Sequence, residues 1–167
     1  MKTIQLVNRQ SVAEIALLDI ALLAVACLVP AASHLSGLAL YQLNPVLLVL
    51  LSSMVLVRSP KNGYLMALLL PWVSSFLVGF PVPAKALCMS AELLTLVAIW
   101  NALGGRQGWS RNLGAILVAV LAGKGVYYLL KSLLLAPAVL VTTSPLTQLL
   151  VVMAMAVAFS FLMTKRS

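Results

Sequence analysis

The sequence predicts an all-α integral membrane protein, a compact bundle of six transmembrane helices with both termini cytoplasmic. Three observations predict it. The first is composition: 63% of the 167 residues are hydrophobic and only 8% charged, against about 45–50% and about 25% in soluble domains. A water-soluble domain of this size has too little interior to hide so much apolar surface. The second is the recurrence of apolar runs about as long as a bilayer is thick, near 20 residues at 1.5 Å per residue. The third is the placement of Lys and Arg, which fall in every second connection.

The runs cover approximately 11–33, 39–57, 63–80, 84–102, 112–135 and 144–163, together one transmembrane domain spanning 1–167. They are separated by His34-Leu35-Ser36-Gly37, the stretch Arg58 to Asn62, Pro81-Val82-Pro83, the stretch Gly104 to Gly108, and Leu140 to Thr143. None of these breaks is long enough for a soluble domain. The polar start and the length of the first run, which carries Glu14 and Asp19, argue against a cleavable signal peptide. Lys2 and Arg9 precede the first run, Arg58 and Lys61 follow the second, Arg106 and Arg111 follow the fourth, and Lys165 and Arg166 follow the sixth. The intervening connections hold none before Lys85, which opens the fourth run. This alternation places both ends on the cytoplasmic side of a multi-pass protein. It also explains most of the net charge of +8 as topology signal and not as a nucleic-acid surface, because the cations form no stripe.

Ionisable residues inside a span are costly, which makes each a functional candidate. Glu92 falls near the middle of the fourth run and Lys124 near the middle of the fifth, with Lys131 two turns further out. Positions 124, 127, 128 and 131 share one helical stripe, reading Lys124, Tyr127, Tyr128, Lys131. Its outward half suits an organic ligand that carries a carboxylate. The competing readings are a structural Lys124–Glu92 pair and a Lys131 that snorkels to the interface. Trp72, at mid-membrane depth after Pro71, needs an indole partner and serves either pocket lining or packing. Asp19 must face protein or water, against a partner subunit or a basic neighbour. His34, the only histidine, closes the first run, and Asn44-Pro45 opens the second on the same side, Pro fitting the first helical turn. Cys27 and Cys88 read as small hydrophobes. No P-loop, GxSxG or HExxH motif occurs, and one His with three acids offers little to a metal, so neither a catalytic residue nor a cofactor or metal site is expected.

From Leu28 to Leu103 the chain resembles the substrate-binding S components of energy-coupling factor (ECF) transporters. The pieces are Pro30 and His34 at the end of the first run, Leu43-Asn44-Pro45-Val46 at the second, Gly63 to Pro71, the turn Gly79-Phe80-Pro81-Val82-Pro83, and Met89-Ser90-Ala91-Glu92-Leu93. Such S components end helix one with proline and histidine, open helix two with a Met-His-x-Pro-Val-like stretch, turn on Gly-Met-Pro and carry Met-x-x-Glu-Leu in helix four. Asn44 stands where that pattern has histidine, and the first run lacks the strict Ala-x-x-x-Ala spacing that contacts the coupling subunit. Small-xxx-small spacing falls instead at Ala115, Ala119 and Gly123, and at Ala154 and Ala158, where packing within the bundle is the simpler use.

The resemblance implies a non-enzymatic subunit in the bacterial cytoplasmic membrane, surrounded by lipid, that captures a vitamin-like molecule from outside. A transmembrane coupling subunit and two cytoplasmic ATPase subunits would supply the energy. The ligand expectation is an anion at Lys131, its body against Tyr128 and Trp72, with His34 and Asn44 closing the mouth and Glu92 and Lys124 beneath. The rival is a structural scaffold of a cell-envelope complex, similar in size to the rod-shape protein of cell-wall elongation, which needs no cavity. A membrane enzyme of lipid or quinone is a third class, short of catalytic groups.

Overall fold

Ser11 starts the first helix with a reciprocal cap: the Glu14 N–H donates to Ser11 Oγ at 3.2 Å, and the Ser11 N–H to Glu14 Oε2 at 2.9 Å. In the computed structural model this helix, α1, runs Val12–Ser36, continues past Pro30 and ends at Gly37, whose φ of 68° a side chain would disfavour. The residues described are 11–37, 44–57, 59–79, 81–103, 108–135 and 145–165, with every side chain except those of Pro30, Ala31, His34, Pro145, Leu146 and Lys165.

Five further helices follow among the described residues: α2 (Pro45–Leu56), α3 (Pro60–Val78), α4 (Pro83–Ala102), α5 (Trp109–Leu134) and α6 (Pro145–Lys165). Proline at the first helical position opens α2, α3 and α4, as a ring with a preset φ and no amide hydrogen suits that position. The fold is all-helical. Four helices are long and apolar enough to cross a membrane, with spans at Val12–Val29, Pro83–Ala102, Trp109–Leu134 and Thr147–Thr164.

Two of the expected spans need correction. The second, drawn from 39, begins at Pro45 and has 12 residues; positions 39–43 lie outside the described residues. The third begins three residues early, at Pro60, which draws Lys61 and Asn62 into α3, and α3 is not among those four spans. α1 and α5 are longer than drawn: His34 to Ser36 extend the first at its C-terminal end and Trp109 to Arg111 the other at its N-terminal end.

Helices α2 to α6 pack as a ring, each on the next and α6 back on α2; α1 lies outside against α2 and α3. α2 is buried on most of its circumference, at Val46, Leu47, Val49, Leu50, Leu51, Ser53, Met54 and Val55, so its sequence is apolar all round. α1 behaves oppositely. Among its described side chains only Asp19 and Ala26 are buried, Leu22 and Leu23 pack partly on the core, and Leu17, Ile20, Val25 and Leu28 are exposed.

Asp19 takes two neutral donors from within the bundle. Asn62 Nδ2 donates to Asp19 Oδ1 and to Ser53 Oγ, both at 3.1 Å, and Ser53 Oγ donates to Asp19 Oδ1 at 3.4 Å. This triangle joins α1, α2 and α3 through residues that are all buried. Losing a donor to a buried acceptor costs about 1–3 kcal/mol. Asn62→Leu should therefore lower unfolding stability by about that amount in detergent, while Lys61→Leu, beside it and exposed, should change little. Equal melting of the two variants would show that the triangle contributes nothing.

Candidate functional site

α4 and α5 approach closely at Gly123. Ala115 and Ala119 are buried on α5, and a Cβ built on Gly123 would lie 2.8 Å from the Glu92 carbonyl oxygen. The backbones touch there because Gly123 has no side chain. The expectation of packing within the bundle fits Ala115, Ala119 and Gly123; Ala154 and Ala158 lie exposed on α6 instead.

Beside this contact the Lys124 ammonium meets the Glu92 carboxylate, Nζ to Oε1, at 2.7 Å, with side-chain exposures of 22% and 6%. Tyr127 follows one turn along α5. Its ring lies between two cations, 5.3 Å from Lys124 Nζ and 5.7 Å from Lys131 Nζ, both within cation–π range. Glu92, Tyr127 and Lys131 are buried at 4%, 8% and 2% exposure. Lys131 thus neither snorkels to an interface nor stands open at the mouth of a cavity. It is packed inside the bundle with interactions of its own.

The predicted stripe is split. Lys124, Tyr127 and Lys131 form a cluster with Glu92, whereas Tyr128 turns to α6 and donates its hydroxyl to Gln148 Oε1 at 3.0 Å. The two tyrosines keep an edge-to-face contact at 5.3 Å between centroids. Trp72 stacks on Phe76 at 6.1 Å on α3, a helix that packs on α1, α2 and α4. Its place beside Tyr128 is not what the fold provides. Asn44 caps α2: it holds φ 47°, and its Oδ1 accepts from the Leu47 N–H at 3.4 Å. That amide oxygen has a structural task before any ligand arrives. His34 lies in the last turn of α1 and its side chain lies outside the described residues.

Three features escaped the sequence reading. Gln148 as the partner of Tyr128 and Asn112 as donor to Thr164 Oγ1 at 3.0 Å depend on the pairing of α5 with α6, which no periodicity encodes. Ser90, at 5% exposure on α4, has a buried hydroxyl with no hydrogen-bond partner among the described residues. The level of Lys85 was legible in principle. Lys85 precedes Glu92 by seven residues and Lys131 follows Lys124 by seven. On neighbouring antiparallel helices equal offsets bring Lys85 and Lys131 to one level, two turns from the ion pair.

Chemically the cluster offers ammonium donors, one carboxylate and an aromatic face. No group of three or more His, Cys, Asp or Glu side chains suited to a metal occurs among the described residues. No known family, curated protein or solved structure matches this chain.

Proposed function

We propose that the protein is a multi-pass subunit of the bacterial cytoplasmic membrane that binds a small molecule at the α4–α5 cluster, as the S components of ECF transporters do. The observation that carries this reading is a polar, cation-rich cluster between two helices otherwise apolar enough to span a bilayer. Ionisable groups at such depth are expensive and persist where they serve a ligand or a pathway. Lys85 and Lys124 are the partly exposed lysines of α4 and α5. The alternation of Lys and Arg supports six passes with cytoplasmic termini. In this reading a transmembrane coupling subunit and two ATPase subunits drive release, since the chain has no phosphate-cradling motif of its own.

A scaffold of a cell-envelope complex is the second reading, favoured by one observation: Glu92, Tyr127 and Lys131 are closed in by mutual packing. Mass spectrometry of small molecules released from detergent-purified protein separates the two. The binding reading expects one compound at near-stoichiometric yield, lost from Lys131→Ala protein. Absence of any bound compound, with loss of cell shape on deletion, would establish the scaffold instead.

A further inference from the structure

We infer that α3 and α5 each carry a surface site for an anionic phospholipid, where an exposed cation meets the lipid phosphate and an apolar helix face meets its acyl chain. The inference needs only a bundle set in a membrane, and it holds whether or not the α4–α5 cluster takes a ligand. Among the described side chains the exposed cations are two, Lys61 and Arg111; Lys85, Lys124 and Lys131 are wholly or partly buried. Each exposed cation lies in the first turn of its helix, and neither first turn holds an acid to neutralise it. α1 differs, because its own first turn supplies Glu14.

The two cations share one end of the bundle. α4 packs on both α3 and α5. The connections 79–82 and 103–108, at about 3.5 Å per residue, are too short to run back along the roughly 30 Å of α4. α3 and α5 therefore both run against α4 and begin at the same level.

Behind each charge lies an exposed apolar strip. On α3, Tyr64, Leu65 and Leu68 follow Lys61 at three, four and seven residues, so they share its face, and all three are exposed. On α5, Gly114, Val118 and Leu121 follow Arg111 along one exposed face. A Cβ on Gly114 would meet nothing within 4 Å, which leaves the strip low just behind the guanidinium. A cation at the end of a helix with apolar length behind it matches a phospholipid, whose phosphate stays at the interface while its chains run inward. Tyr64 adds an amphipathic ring at the level where headgroups give way to chains. A zwitterionic headgroup brings an ammonium of its own towards the same cation, and an anionic one does not. The sites therefore favour the anionic lipid, by roughly fivefold for each Lys or Arg at a membrane surface.

The test uses purified full-length protein in detergent, titrated with dioleoyl phosphatidylglycerol, dioleoyl phosphatidylcholine or inorganic phosphate while thermal unfolding is followed. Wild type should reach half of its stabilisation at a phosphatidylglycerol concentration roughly fivefold or more below that for phosphatidylcholine. Inorganic phosphate has no chain to lie on the strips and should not stabilise. Lys61→Gln and Arg111→Gln should each shrink the preference, and the double variant should lose at least the roughly fivefold share of one cation. Both side chains are exposed, so folding is not in question. Three outcomes overturn the inference: equal response of wild type to the two lipids, an unchanged preference in the double variant, or stabilisation by inorganic phosphate that equals that by phosphatidylglycerol.

Discussion

Glu92→Ala should cost the fold about 3–5 kcal/mol, because it leaves the Lys124 ammonium without its carboxylate in the bundle interior. The effect should be read as a loss of folded protein in detergent and an early thermal transition. Lys124→Ala should do comparable harm by stranding a carboxylate that is only 6% exposed. The double variant Glu92→Leu with Lys124→Leu is the informative one. Replacing a buried pair by apolar residues of similar bulk is close to neutral, so the double variant should melt well above either single one. If it melts with them, the pair matters for its packing and not for its charge.

The second large effect is at Gly123. Its absent Cβ would sit 2.8 Å from the Glu92 carbonyl oxygen, a backbone atom that no rotamer change can move. Gly123→Ala should therefore push α4 and α5 apart and destabilise by about 1–3 kcal/mol, the range for overpacking. Gly123→Leu should prevent the interface from forming. Gly125, two residues on, has nothing within 4 Å of its Cβ position. Gly125→Ala should accordingly stabilise α5 by about 0.5–1 kcal/mol through helix propensity alone. Opposite signs for two neighbouring Gly→Ala changes, measured side by side by thermal unfolding, test the contact directly; a common sign refutes it.

Helix number and type were legible because apolar runs and Gly/Pro breaks are local properties. The ends were less so. Pro60 draws Lys61 and Asn62 into α3, where a hydropathy reading treats them as a connection, because a helix-starting proline outweighs two polar side chains in the first turn. Of the site, the pairing of Glu92 with Lys124 was one of two readings of matched depth. The division between Tyr127 and Tyr128 was not legible: adjacent residues on a helix point about 100° apart, and only the positions of α4 and α6 decide which faces which. The Asp19 triangle was hidden for a similar reason, since its donors come from two other helices at sequence separations of 34 and 43.

That triangle has a consequence for the order of synthesis. α1 is made before α2 and α3, and Asp19 has its hydrogen-bond donors only once Ser53 and then Asn62 have been made. An unpartnered acid at depth costs about 2.5–3.5 kcal/mol on the scale of membrane insertion. α1 carries that cost in the most apolar candidate span among the described residues. The triangle removes it only when α2 and α3 are in place, so the three helices should become resistant to proteolysis together and not one at a time.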